Sequence, residues 1–318
     1  MTSITKDGAF DRKPTDFHNK IPSAEFPVEK DRYHLYVCLA CPWANRALIA
    51  RELYGLQDVI SVSYVHYLLG QEGWKFDDPK NPDPEQKPLA KDDVNGFSLL
   101  RQVYELSVGD KYDGKITVPV LFDKKTKKIV NNESAELLHI FNGELKKLGT
   151  NPDLELYPDD LAKAIEEANE WVYPLINNGV YKAGFARADK PYREAVKGVF
   201  EGLDRAEEIL SRQRYIAGDR FTQADIRLFT TLVRFDSVYS VHFKCSAKRI
   251  VDYPNLFNYT KEIYQMPGVA STVDVDQIAK HYYQSHTSIN PLGLVPLYAD
   301  HDFSAKHDRE EKFPTVAK

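Results

Sequence analysis

Residues 36–46 read Tyr36-Val-Cys-Leu-Ala-Cys-Pro-Trp-Ala-Asn-Arg46, and this stretch decides the fold. Before it, Tyr33-His-Leu-Tyr-Val37 has the composition of a short strand. Within it, Pro42 suits the first turn of a helix, where its missing N–H costs nothing. Ala44, Ala47 and Leu48 then follow at helical spacing, and Gly55 offers the stop. Val59–Val65 alternates, with Ile60, Val62 and Tyr64 predicted on one face and Ser61 and Ser63 on the other. The opening is therefore β–α–β, with two cysteines at the junction of the first strand and the first helix.

Further on, residues 66–114 break the rhythm. The run FDDPKNPDPEQKPLAKDD is rich in proline and charge, and it reads as a long excursion from the domain. Regularity returns at Thr117-Val-Pro-Val-Leu-Phe122, and a turn at 123–128 leads to Ile129-Val130, which predicts a hairpin. After Asn132-Glu133-Ser134, Leu138, Phe141, Leu145 and Leu148 line one side of a helix. From about residue 158 the periodicity is helical, with stripes at Leu161, Ile165, Ala168, Val172, Leu175 and at Val196, Val199, Leu203, Ala206, Leu210. Thr222-Gln-Ala-Asp225 has the form of a capping box, and another short helix is expected over 254–265. The predicted organisation is an extended arm over 1–30, an α/β domain over 31–150 with its insertion at 66–114, an all-helical domain over 155–290 and an irregular tail over 291–318.

The whole chain bounds the possibilities. Its 318 residues carry 42% hydrophobic and 28% charged side chains, ordinary for a globular protein. A formal charge of −5 argues against nucleic acid or an anionic membrane as partner. No apolar run is long enough to span a bilayer, and the N-terminal stretch lacks the apolar centre of a secretory signal. Three cysteines cannot build a disulfide scaffold and suit a reducing compartment, so a cytoplasmic location is expected.

A thiol at a helix N-terminus meets unpaired N–H groups and a partial positive charge, which favour its thiolate. Cys41 has that placement, against the alternative of a small buried hydrophobe. Cys38 precedes the helix, and the position three residues after Cys41, where a dithiol site carries its resolving partner, is Ala44. Cys41 is thus read as a lone nucleophile that needs an external thiol, with Cys38 a bystander able to form a reversible disulfide. A zinc site joining this pair to His242-Phe-Lys-Cys245 would link elements about two hundred residues apart, whereas structural zinc motifs are compact. No metal is expected.

Taken together, CPWA after the first strand, TVP before the third and NES opening the next helix resemble a glutathione transferase. Further strings make the chain similar to the xi class, the glutathionyl-hydroquinone reductases: GWKF at 73–76, NGVYKAGFA at 178–186, HFKC at 242–245 and HYYxSHxxINP at 281–291. The resemblance implies a thioredoxin-like domain followed by an all-helical one, a homodimer, and glutathione as co-substrate. It implies that Cys41 attacks the glutathionyl sulfur of a glutathionylated hydroquinone, and that a second glutathione resolves the mixed disulfide. Val118, before a Pro119 expected in cis, would present its backbone to the cysteinyl part of glutathione, while Glu133 and Ser134 would receive the γ-glutamyl end. Trp74 matches the tryptophan that covers glutathione, and Lys115 stands where a basic residue meets a carboxylate. Tyr181 is assigned as proton donor and acceptor, Tyr239 and Tyr282 as stabilisers of the thiolate. Cys38 stands where the family leads one to expect serine, and Asn45 where it leads one to expect histidine. Two rival readings are an omega-like thioltransferase or dehydroascorbate reductase with the same Cys41 chemistry, and a non-catalytic adaptor of the same fold.

Overall fold

The computed structural model describes residues 3–78, 80–298 and 301–314; Pro79 of the excursion and parts of the tail lie outside the described residues. The chain divides into two compact units, one of residues 14–154 with 271–286, the other of residues 1–13, 155–270 and 287–318.

The first unit is built on a four-stranded sheet in the order β2 (Ile60–Tyr64), β1 (Tyr33–Val37), β5 (Val120–Asp123), β6 (Lys128–Asn131). Strand β1 (Tyr33–Val37) is followed by α1 (Pro42–Leu53) and then by β2 (Ile60–Tyr64), parallel to β1. All five residues of β1 are buried, because the strand lies between β2 and β5 and is covered on both faces. Even His34 is enclosed: its Nδ1 bonds the Ser61 hydroxyl at 2.7 Å, and burial pushes its pKa down to about 4. Helix α1 stops where Gly55 takes φ +65, a conformation that suits a residue without Cβ.

The alternation expected in β2 does not govern its burial. Ser63 is buried and Val62 only half so, because the Ser63 hydroxyl accepts the Asp93 N–H at 3.1 Å from the covering excursion. The excursion itself is more ordered than its composition implies. It holds a small hairpin, β3 (Leu69–Gly70) with β4 (Gly73–Trp74), and a helix, α2 (Leu100–Val108). Leu100, Val103 and Tyr104 are buried at i, i+3, i+4 spacing, a stripe masked by the proline-rich run before it. Asp92 organises the intervening loop by accepting from the Tyr36 hydroxyl at 2.9 Å and from the N–H groups of Val94, Asn95 and Phe97.

Strands β5 (Val120–Asp123) and β6 (Lys128–Asn131) form the expected hairpin, with β5 antiparallel to β1. Helix α3 (Ser134–Asn142) is shorter than its apolar stripe suggests; the chain breaks at Gly143 and continues as a 3₁₀ turn over Glu144–Leu148.

In the second unit, α4 (Ala162–Trp171) passes into a π turn, Val172–Asn177, followed by α5 (Gly179–Phe185) and the long α6 (Asp189–Arg212). Helix α7 (Gln223–Arg234) also ends in a π turn, Phe235–Tyr239, and α8 is Pro254–Tyr264. The expected capping box opens α7, with a further bond between its two side chains. The Asp225 carboxylate accepts the Thr222 N–H at 2.8 Å as expected, and the Thr222 hydroxyl also donates to that carboxylate at 3.0 Å. Helix α9 (Val275–Ser285), read from sequence as part of the helical half, packs with the first unit. Among its described residues the tail carries a short helix, α10 (Arg309–Lys312). Among the described residues no helix is long and apolar enough to cross a membrane.

Candidate functional site

Cys41 is the N-cap of α1, in extended conformation with φ −78 and ψ 120. Its N–H donates to the Cys38 carbonyl at 3.1 Å, closing the turn, and its own carbonyl accepts the Asn45 N–H at 3.0 Å as the first helical bond. The sulfur lies at the end of the helix where the N–H groups gather. The thiol donates to the Val118 carbonyl at 3.6 Å. Cys41 retains 8% exposure whereas Cys38 has none. Cys245 is buried in the other unit, and burial pushes its thiol up to about 12, which leaves it inert at neutral pH.

Val118 and Pro119 are both buried just ahead of β5, and the bond between them is cis. The backbone of Val118 thus faces the thiol with its carbonyl. At the start of α3 the cap is Glu133 rather than Ser134: the Glu133 carboxylate accepts the Ala135 N–H at 3.2 Å and the Thr15 hydroxyl at 3.3 Å. Ser134 is buried and accepts from Arg46 Nη1 at 3.3 Å. Sequence reasoning missed Arg46, although it ends the quoted stretch one turn into α1. Its guanidinium lies 4.6 Å from the Trp43 ring centre and sits, nearly fully buried, beside Ser134. Lys115 is exposed.

The segment 271–286 adds a wall to this unit. Asn45 Nδ2 donates to the Thr272 carbonyl at 3.0 Å and to its hydroxyl at 2.9 Å, tying the first turn of α1 to that segment. Trp74, on β4, is buried and stacks on the His281 ring with centres 5.3 Å apart and 18° between planes. His281 in turn donates from Nδ1 to the Tyr67 carbonyl at 2.6 Å, and the Leu69 N–H donates to the Ser285 hydroxyl at 3.0 Å. Tyr282 is 1% exposed, edge-on to His281 and His286.

In the helical unit, Tyr181 on α5 and Tyr239 in the π turn after α7 belong to one aromatic cluster. Their ring centres are 6.1 Å apart, and Phe243 lies 5.4 Å from the first and 5.5 Å from the second. Tyr239 is fully buried and Tyr181 half-buried, which leaves the second phenol the more accessible of the two. Among the described residues no group of three histidine, cysteine or acidic side chains is arranged to hold a metal.

Comparison with known proteins bears on this arrangement. Residues 40–143 match the glutathione S-transferase N-terminal domain, and residues 186–262 the glutathione S-transferase C-terminal domain. The chain is similar to the glutathionyl-hydroquinone reductase YqjG of Escherichia coli strain K12, 47% identical over 96% of this chain and 94% of that one. The glutathione-bound structure of YqjG superposes with a TM-score of 0.86, at 46% identity over 98% of this chain and 96% of the other. Glutathionyl-hydroquinone reductase PcpF of Sphingobium chlorophenolicum is 43% identical over 91% of this chain and 90% of its own length. The crystal structure of the glutathione S-transferase xi of Phanerochaete chrysosporium superposes with a TM-score of 0.88, at 46% identity over 93% and 94% of the two chains.

Proposed function

The chain belongs to the xi class of glutathione transferases, and from that membership we propose that it removes glutathione from glutathionyl-hydroquinones. The observation that carries the reading is Cys41 as the N-cap of α1, its thiol donating to the Val118 carbonyl. The Cys41 thiolate attacks the glutathionyl sulfur. The carbon–sulfur bond breaks, its electron pair stays with the ring carbon, and that carbon takes a proton assigned to Tyr181. Hydroquinone leaves, and Cys41 holds glutathione as a mixed disulfide. A second glutathione thiolate then attacks that disulfide, releasing glutathione disulfide and restoring the Cys41 thiolate. Overall the thioether sulfur and one glutathione thiol are oxidised to a disulfide while one ring carbon is reduced, so the electrons balance.

Glutathione fits the groups present. The Val118 backbone offers strand-like pairing to its cysteinyl peptide. The start of α3, with Glu133 and Ser134, suits the charged γ-glutamyl end, and the buried Arg46 behind Ser134 adds positive charge there. Trp74 is assigned to cover the bound peptide and Lys115 to meet a carboxylate. Tyr239 and Tyr282 are assigned to the Cys41 thiolate. A homodimer and a cytoplasmic location, where glutathione is abundant and reduced, complete the proposal.

Turnover of glutathionyl-hydroquinone with glutathione, followed beside that of dehydroascorbate, tests it. Preference for the first by the native protein and its loss in Cys41→Ser is the expected result. A preference for dehydroascorbate would replace the reading with an omega-like one.

A further inference from the structure

The segment that opens the chain is anchored within the helical unit. The Thr5 N–H donates to the Ala9 carbonyl at 2.9 Å, and Ile4 bridges Phe10. Gly8, at φ +85, presents its carbonyl to the Arg187 N–H at 2.8 Å; a Cβ there would come within 3.0 Å of the Ala188 Cβ. These contacts hold the segment beside the C-terminal end of α5, where Phe10 lies 5.5 Å from Phe185 between ring centres.

From this anchor Arg12 reaches the tyrosine assigned to proton transfer. Its Nε donates to Asn178 Oδ1 at 2.6 Å, and its guanidinium carbon lies 4.7 Å from the centre of the Tyr181 ring. Asn178 precedes α5 and is almost fully buried, and Tyr181 follows it three residues on. One turn of helix thus offers the amide and the phenol to a single planar cation.

We propose that Arg12 is a positioning residue for the proton-transfer step, holding the Tyr181 ring and stabilising the negative charge left on it when the proton passes to the substrate carbon. The proposal rests on the assignment of Tyr181 as proton donor. A guanidinium over an aromatic face is attracted by the electron-rich ring, and the attraction grows when the ring becomes a phenolate. Facing the ring are Arg12 from the N-terminal segment and Tyr239 from the turn after α7, while Phe185 and Phe243 add uncharged surfaces. Asn178 fixes the plane of the guanidinium, which lysine could not reproduce.

The test compares Arg12→Gln, Arg12→Lys, Tyr181→Phe and the double variant Arg12→Gln with Tyr181→Phe. Arg12→Gln should lower kcat about tenfold with little change in KM, and move the alkaline limb of the kcat–pH profile upward by about one pH unit, as loss of a nearby cation requires. Arg12→Lys keeps the charge and should recover part of kcat and of the limb position. It also carries the test should the glutamine variant fold poorly. In the Tyr181→Phe background, Arg12→Gln should cost nothing further, and the rate of Cys41 alkylation by iodoacetamide should be unchanged in every variant. An unaltered kcat and pH limb in Arg12→Gln, with Tyr181→Phe defective, overturns the role of Arg12 and spares that of Tyr181. Additive losses in the double variant overturn it equally. Normal turnover by Tyr181→Phe overturns both.

Discussion

The Cys41 thiol donates to the carbonyl of Val118 across 3.6 Å, and Val118 stands immediately before cis-Pro119. The end of the first strand's connection and the start of β5 therefore converge on one sulfur. A peptide pairing with Val118 as an added strand would bring its own side chain to that sulfur, which is the geometry thiol exchange needs.

If Cys41 is the nucleophile, Cys41→Ser should lose turnover by at least three orders of magnitude while still binding glutathione, because serine lacks an accessible anion at neutral pH. Serine is also a good N-cap, so thermal stability should hold or rise slightly. Steady-state turnover and a calorimetric glutathione titration check this. Near-normal turnover would sink the mechanism.

Trp74 and His281 form a stacked pair held by the His281 bond to Tyr67. Removing the indole should raise KM for glutathione about tenfold with a smaller effect on kcat, since aromatic contacts are worth about 1 kcal/mol. His281→Ala, which leaves the indole unsupported, should reproduce part of that rise. A kcat defect at unchanged KM would show that Trp74 serves something other than glutathione.

Asp225 supplies a pH dependence. Burial outweighs the bonds it accepts from the Ile216 and Thr222 N–H groups and the Tyr259 hydroxyl, and pushes its carboxyl up to about 6. The folded protein thus holds this proton more tightly than the unfolded chain. The resulting stability is full below about pH 4 and is lost as pH rises through about 6. Relative to Asp225→Asn, the native protein should lose up to roughly 3 kcal/mol between those limits. Urea midpoints of both proteins from pH 4 to 7.5 measure it, and a constant difference would refute the assignment.

Cys38 should be dispensable for turnover. Cys38→Ser is expected to keep its rate at saturating glutathione but to suffer faster irreversible oxidation of Cys41 by peroxide, as a neighbouring thiol can trap the first oxidation product as a disulfide. Mass spectrometry after oxidant reads the outcome. Loss of turnover in Cys38→Ser would mean that glutathione does not resolve the mixed disulfide alone.

The sequence by itself determined what depends on neighbours a few residues apart. Pro42, standing a short loop after a five-residue strand, placed the thiol at the head of a helix, and Thr222 with Asp225 marked the start of α7. These features rest on the 3.6-residue and two-residue periods and on orphan N–H groups, all local physics. The strings around Tyr181, Tyr239 and Tyr282 suggested the roles proposed for them without indicating what packs on them. Tertiary structure alone decided that Ser63 is buried while Val62 is not, since a covering loop can satisfy a hydroxyl. It alone placed α9 against the excursion, through Trp74 and His281, and buried Arg46 behind Ser134. It alone brought Arg12 to Asn178 across 166 residues and Asn45 to Thr272 across 227. No periodicity encodes such pairs, because the chain between them is free until packing fixes it, and the loop entropy lost changes only slowly with length.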